Sequence, residues 1–441
     1  MEKCQRSLTK RAFLATASTT CLAGCLVNSI AEPDDSRHSA DENRSESAAD
    51  PKPVTESDDE SEADEPPLFI EDDPRDRLWN RGEQWQSGTS LDDWEVLSGS
   101  LESATDETYR DSRSAHLTSA DDNEVRVRIP LEDYDLTKTT FSLAMYIDSP
   151  GNYYSPSFDV NAPECGRELH FRTRHKIDEP GWIRYDLGIS RTSTLETTDE
   201  SYMVISWGGT DIDWYIDDIR AVLVKEDPKL FIQFDDSLRT TYDTAFPIME
   251  EYGITATNFV ITGREGEDRH LTISQMEEMQ EAGWEFGSHT HTHQRTGELS
   301  LDEQREELEK SKEWLLDHGF TQAASTFAYP FGSFTTDTMD LATDYYDFAT
   351  HGQRGAMNRQ VSSPLSVNRH PGDDVEKSMT LIDLLLDDQI PTDTLVLYYH
   401  DVIDDHDVWI DPTDFRETMA YIDETGINCV LTSELRSHQF A

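Results

Sequence analysis

In the first large stretch of the chain after residue 75, apolar and polar residues alternate at a period of two. Glu124–Ile129, Thr139–Ile147, Leu169–Thr173, Trp182–Leu187, Tyr202–Trp207 and Trp214–Val224 all read this way. Ser149-Pro150-Gly151 and Gly208-Gly209 supply turn residues between them. Alternation marks strands with one dry and one wet face, and no long helical period interrupts the series. The pattern predicts an all-β sandwich over residues 76–226.

From residue 227 the period changes. Short apolar runs (Leu230–Phe234, Thr257–Ile261, Trp284–Gly287, Ser325–Tyr329, Leu395–Tyr399, Asn428–Leu431, and two near 348 and 366) alternate with amphipathic helical segments. Helices are expected over Leu238–Tyr252, Thr272–Ala282, Ser300–His318, Thr336–Tyr345, 376–387 and 412–425. Ser300 with Glu303 forms a capping-box pattern, and Gly253, Gly283 and Gly319 stand where helices stop. Seven or eight strand–helix units in residues 227–441 predict a parallel α/β barrel, whose chemistry gathers at the C-terminal ends of the strands.

The 441 residues carry 90 acidic and 37 basic side chains, a net charge of −53. Nucleic acid is excluded as a partner, because phosphate binding needs a basic face. Residues 1–30 carry +3 and residues 31–67 carry −11, so −45 is spread over the folded sequence. Only 10 of the basic residues are Lys. An acidic, Lys-poor surface is the kind expected of a halophilic protein, where salt screens self-repulsion.

Residues 1–30 read as an export signal: Lys10-Arg11 precede a short apolar run, and Leu22-Ala23-Gly24-Cys25 resembles a lipobox. Cys25 would then carry the lipid and hold the chain on the outer face of the cell membrane, with a plain secreted form as the alternative. That apolar run is too short to span a bilayer, and nowhere else do 18 apolar residues run together. Residues 31–75 are acidic and nearly devoid of large apolar side chains, the composition of a disordered linker. Of five Cys, three lie in the first 25 residues, so no disulfide framework or Cys metal site is expected.

The predicted strand ends deliver a short inventory. The first gives Asp235-Asp236, the third His289 with His291 and His293, the fourth Tyr329-Pro330-Phe331-Gly332, and a late one His400-Asp401. Carboxylates and imidazoles converging on one rim suit metal binding and acid–base chemistry. With 14 His in the chain, a lone His-x-x-x-His pair means little, since chance supplies about 0.4 of them. The order and the placement after apolar strands carry the signal.

In that order, residues 228–435 resemble the polysaccharide deacetylase (NodB-homology) domain of carbohydrate esterase family 4. The resemblance implies a distorted (β/α)7 barrel. It implies a divalent metal on Asp236, His289 and His293, zinc by default, with cobalt, nickel or manganese as other fits. It makes Asp235 the general base and His400 the general acid. The Phe331 N–H would serve the oxyanion, and Tyr329 and Leu397 (or Tyr398) would line the acetyl pocket. His291 is left outside the metal shell, and Thr290 and Thr292 are expected to steady the histidines. Two positions depart from the family pattern: Ser237 stands where a Gly is usual, and Ala328 where an Arg is usual. Arg369, at the end of a later strand, is the expected replacement cation for Asp235.

In the N-terminal region, Asp213–Val222 resembles the last strand of jelly-roll carbohydrate-binding modules. Trp94, Tyr153, Tyr154, Trp182, Trp207 and Trp214 are candidates for stacking on sugars or for filling the core. Asp217 and Asp218 are candidates for a structural calcium or for capping a turn. The reading reached is a lipid-anchored, metal-dependent hydrolase that removes N-acetyl, or else O-acetyl, groups from acetylated polysaccharide. The alternatives are a non-catalytic glycan-binding protein on the same scaffold and a small-amide deacylase.

Overall fold

The computed structural model describes residues 83–86 and 91–434, apart from 111, 120–123, 132–133, 149–155, 173–178, 196–198, 209–211, 225–226, 353–362 and 405–408. The export signal, Cys25, the acidic segment over 31–75, and Tyr153 and Tyr154 lie outside the described residues.

Twelve strands come first: β1 (Glu83–Gln86), β2 (Glu95–Ser98), β3 (Ser100–Ala104), β4 (Ser114–Thr118), β5 (Glu124–Pro130), β6 (Thr139–Ile147), β7 (Ser157–Ala162), β8 (Arg167–Arg172), β9 (Gly181–Asp186), β10 (Ile189–Thr194), β11 (Tyr202–Gly208) and β12 (Asp213–Leu223). They form two six-stranded antiparallel sheets. One runs β3-β4-β12-β6-β9 with β1 beside β12, the other β10-β8-β7-β11-β5-β2. Rings cross between the inner faces: Phe141 to Phe171 at 6.5 Å, Phe158 to Trp214 at 6.4 Å and Trp207 to Trp214 at 5.4 Å. The alternation predicted for the long strands is what fills this layer.

Strands β1, β2, β3, β4, β7 and β10 escaped the sequence reading. β3 and β10 hold one large apolar residue each, Leu101 and Ile189, and β2, β3 and β10 are sheet edges. An edge strand needs few apolar residues, because half of its ladder faces water. Trp94 and Trp214 belong to the core, at 8% and 1% exposure, so neither reaches a sugar. The calcium expectation for Asp217 and Asp218 is corrected as well. Asp218 lies 2.8 Å from Arg184 and 3.0 Å from Arg220, while Asp217 accepts the N–H groups of Tyr109, Arg110 and Asp218. Arginines and backbone amides already balance both carboxylates.

Eight parallel strands follow: β13 (Lys229–Phe234), β14 (Thr257–Val260), β15 (Glu285–Ser288), β16 (Thr326–Ala328), β17 (Phe348–Gly352), β18 (Val367–Pro371), β19 (Thr394–Tyr399) and β20 (Asn428–Val430). Each of β13 to β19 pairs with the next, and β13 pairs with both β19 and β14, closing a seven-stranded parallel barrel. β20 pairs with Lys229–Phe231 of β13, on the stretch that β14 leaves free. The barrel is thus wedged open at its base by an eighth strand. Helices Ile273–Glu281, Leu301–Asp317, Thr336–Ala342, Val375–Leu386 and Pro412–Thr425 follow successive strands. Ser300 and Thr272 close reciprocal capping boxes with Glu303 and Gln275. The helix expected over Leu238–Tyr252 starts late and irregularly. A π-type turn over Thr241–Ala245 precedes regular helix at Phe246–Glu251.

Period two sorts the barrel residues. Phe231, Phe348, Val367, Val396 and Val430 form a separate apolar cluster inside the barrel. Leu230, Ile232, Phe234, Leu395 and Leu397 join the core facing the helices. Two residues further along each strand, the interior turns polar: Gln233, Thr350, Arg369 and Tyr398. Two further again, β13 and β19 reach Asp235 and His400.

The sheet edges β9 and β10 abut the barrel, and both belong to one compact unit. Arg167 pairs with Asp387 at 2.7 Å, and Asn368 Nδ2 donates to the Asp186 carbonyl at 2.7 Å. Gly181 lets the two approach: a Cβ there would lie 2.2 Å from Thr336 Oγ1.

Candidate active site

The loop after β13 presents two adjacent carboxylates in different surroundings. Asp236 turns to the histidines: its Oδ1 lies 3.1 Å from His293 Nε2 and 3.5 Å from His289 Nε2. Asp235, 2% exposed, is held by Arg369 through two parallel contacts, Nη1 to Oδ1 at 2.8 Å and Nη2 to Oδ2 at 2.6 Å. His400 Nε2 stands 3.8 Å from the same Oδ2. Arg369 also donates to Gln233 at 3.3 Å, and its guanidinium lies 4.3 Å from the centre of the Tyr398 ring. The cation absent at Ala328 is supplied two strands away. Burial pushes the Asp235 carboxyl up, but the charge and hydrogen bonds of Arg369, together with the charges of His289 and His400, leave the group below the ordinary carboxylate value.

Asp236, His289 and His293 can each offer one atom to a common ion, with all three atoms within 4.8 Å of one another. Two observations fit a cation there. Asp236 Oδ1 is buried and accepts no hydrogen bond. His289 donates Nδ1–H to the Ala328 carbonyl at 2.7 Å, which leaves the Nε2 lone pair facing that oxygen. A lone pair against a carboxylate oxygen repels unless a cation lies between them. No other group of three such residues gathers this closely among the described residues.

The backbone bends sharply to make this cluster. Asp236 (φ 67°), Ser237 (48°), Thr290 (64°), His293 (63°) and Phe331 (58°) all occupy the left-handed region. Each costs about 1–2 kcal/mol for a residue other than glycine. Local hydrogen bonds offset the strain. Ser237 accepts the Ile261 N–H and offers its own carbonyl to Leu271 N–H, at 3.4 and 2.8 Å. Thr290 Oγ1 accepts the His293 N–H at 3.0 Å. Gly287 lies beneath His289 on the barrel interior, where a Cβ would come within 2.6 Å of Thr326 Oγ1 and 2.8 Å of the Phe259 ring.

Two supports carry no signature in the sequence. Glu307, on helix Leu301–Asp317, accepts the N–H of His291 and Thr292 at 3.0 and 2.7 Å and the Thr292 hydroxyl at 2.7 Å. It anchors the whole histidine turn. His270 contacts the Asp236 carbonyl at 2.9 Å through Nδ1, fixing the bend at the carboxylate that faces the histidines. His291 itself points away, to Thr262 Oγ1 at 3.0 Å. Asp401, beside His400, is buried and paired with Thr240 and Arg269.

Tyr329 and Leu397 are not brought to the opening. Tyr329 packs on Phe327 and Phe334 and donates its hydroxyl to the Leu365 carbonyl, and Leu397 faces the helices. Strand parity is the reason: on β19 the inward positions are 396, 398 and 400. Tyr398 therefore lines the pocket beside His400, with Asp373, Trp409 and Ile410. Phe331 is 58% exposed, with its ring 4.6 Å from that of His293 and Arg295 over its face at 4.6 Å. Trp409, 38% exposed, lies 4.5 Å from the His400 ring across the opening.

Residues 224–346 match the family model for polysaccharide deacetylase. The match takes in Asp235, Asp236, His289, His293 and Phe331, and stops before Arg369 and His400. Among similar curated proteins, YxkH of Bacillus subtilis is 34% identical over 131 residues, 30% of this chain and 47% of the relative. A poly-β-1,6-N-acetyl-D-glucosamine N-deacetylase of Staphylococcus aureus is 33% identical over 126 residues, 25% and 43% of the two chains. Of solved structures, the Streptococcus pyogenes deacetylase PplD in complex with acetate is 33% identical, covering 32% of this chain and 62% of that one, with a TM-score of 0.29. The chain spans under half the length of the curated relatives it matches. Over residues 224–346 the barrel is thus similar in sequence to polysaccharide deacetylases.

Proposed function

We propose that the barrel is a metal-dependent deacetylase acting on N-acetylated polysaccharide. The observation that carries this reading is the pairing of two unlike carboxylates at one strand end. One faces two imidazoles with an unsatisfied oxygen, and the other is held ionised by Arg369 within reach of His400. Asp236, His289 and His293 would hold a divalent ion, zinc by default. When bound, such an ion supplies Lewis acidity and lowers the pKa of coordinated water.

The chain's own groups do the rest. Asp235 takes a proton from the attacking water, and Arg369 fixes the orientation of its two oxygens. His400 gives a proton to the departing amine nitrogen. The N–H of Phe331, aimed by its left-handed backbone, donates to the oxygen that becomes negative. Tyr398 and Trp409 wall the pocket on the His400 side, and Phe331 walls it on the other. This reading includes export and lipid attachment at Cys25, so that the substrate lies outside the cell.

The test is acetate release from a panel of N- and O-acetylated glycans, with and without chelator, alongside Asp235→Asn. Release that stops on chelation, returns with added metal and is lost in Asp235→Asn is the expected result. Release that persists in Asp235→Asn or under chelator would overturn the assignment of roles.

A further inference from the structure

The outer face of the β3-β4-β12-β6-β9 sheet carries one aromatic residue on each of four adjacent strands at the same register. His116 on β4 lies opposite Tyr215 on β12, Tyr215 opposite Tyr146 on β6, and Tyr146 opposite Trp182 on β9. Neighbouring ring centres are 4.3, 6.0 and 5.7 Å apart. The four side chains are half-buried, neither core nor fully exposed. Four strands at the usual spacing make a row about 14 Å long.

Tyr109 adds a fifth ring, 5.7 Å from Trp182, from the loop after β3. Asp217 pins that loop to the row by accepting the backbone N–H groups of Tyr109 and Arg110. The same loop brings Asp106 and Glu107 beside the rings. Asp148 and Asp213 stand on other sides, and these four carboxylates act on the Tyr146 and Tyr215 hydroxyls. Asp213 also contacts His116 Nε2 at 2.7 Å. Two of the neighbouring cations face inward: Arg184 and Arg220 are buried on Asp218, while the more exposed Arg110 reaches the same carboxylate only at 3.9 Å. Exposed negative charge therefore rims aromatic rings, the combination that attracts an ammonium group lying against a sugar face.

We infer that this row is a second glycan-binding site, selective for polysaccharide whose sugars carry free amines. The selectivity rests on the deacetylase reading above, since free amines are what that reaction leaves behind. Trp182 sits at the barrel boundary, with its carbonyl accepting from Thr336 Oγ1 at 3.4 Å. That threonine follows closely on the segment bearing Phe331. A chain held on the row after its sugars are processed stays near the catalytic opening, which favours repeated action on one polymer.

The test is calorimetric titration of the chelated full chain with glucosamine, N-acetylglucosamine and galacturonate oligomers of equal length. The glucosamine oligomer is expected to bind about tenfold tighter than its acetylated counterpart, with the preference fading as salt is added. Tyr215→Ala is expected to weaken binding about tenfold. The exposed pair Asp106→Asn and Asp148→Asn, which leaves the sheet interior untouched, should remove the preference for amines. Unchanged binding in Tyr215→Ala, a preference surviving the charge removal, or tighter binding of galacturonate would overturn the proposal. Acetate release measured in parallel on the metal-loaded protein separates the two readings. Binding without release sinks only the enzyme, and release without amine-selective binding sinks only the row.

Discussion

Asp235 is a buried carboxylate whose burial is opposed chiefly by Arg369, with His289 and His400 adding to it. With its pKa depressed in the folded chain, the Asp235–Arg369 pair contributes stability at neutral pH, and that contribution is lost as pH falls through the folded value. In Arg369→Ala the burial remains and the chief opposing charge is gone, so the carboxyl moves up instead. The acid limb of the kcat/KM profile should shift to higher pH, and kcat at neutral pH should fall about tenfold to a hundredfold with bound metal unchanged. Metal analysis beside a pH profile checks both halves, and loss of metal would count against a role confined to the base. Glu307 makes a different expectation. Glu307→Gln cannot accept all three donors of the histidine turn, so metal affinity should fall about tenfold while Asp235 keeps its pairing with Arg369. A metal-competition titration reads this directly.

Strands aim the side chains, and parity decides which ones meet substrate. On β19, Leu397 packs toward the helices, while Tyr398 and His400 line the opening. Leu397→Ala should therefore cost about 2–5 kcal/mol of stability and leave KM unchanged. Tyr398→Ala should change KM and kcat with a smaller loss of stability, since the Arg369 guanidinium loses its ring contact there. Thermal melts and kinetics on the two neighbours test the assignment, and a KM effect confined to Leu397→Ala would reverse it. The loops at the strand ends work in the same way. Their left-handed residues bend the chain so that Asp236, His289 and His293 converge, which extended backbone cannot do.

The whole molecule couples the two regions through the strand that bears Arg369. Asn368, its neighbour, donates to Asp186 of β9, and Asp186 Oδ2 accepts the Ser363 N–H at 3.3 Å. A chain cut to residues 227–441 loses these contacts and uncovers the β9–β10 contact surface on the barrel. It should melt several degrees lower than the intact protein and turn over more slowly. Equal melting and turnover would show that the sheets are independent of the site. Net charge acts at the same scale. With −53 charges, compact states repel themselves, so the melting temperature should rise as salt is added, well beyond the concentration that screens a single ion pair. Scanning calorimetry across a salt series measures it.

Much of the barrel was legible in the sequence because it depends on local rules. Buried parallel strands are short apolar runs, helices carry their own caps, and the ends of those runs name the rim residues. In the structure Asp235 lies near His400 and Asp236 near His289 and His293, and Arg369 meets Asp235 although 134 residues separate them. Edge strands β2, β3 and β10 were invisible because water, rather than apolar packing, satisfies one side of them. Tyr329 and Leu397 were misplaced because a motif gives neighbourhood, whereas facing depends on strand register. The roles of Glu307 and His270, the arginines around Asp218, and the aromatic row across four strands depend on contacts between residues far apart in sequence. Only tertiary structure decides those, because hydrogen bonds and ring contacts act over a few ångströms of space and leave no period along the chain.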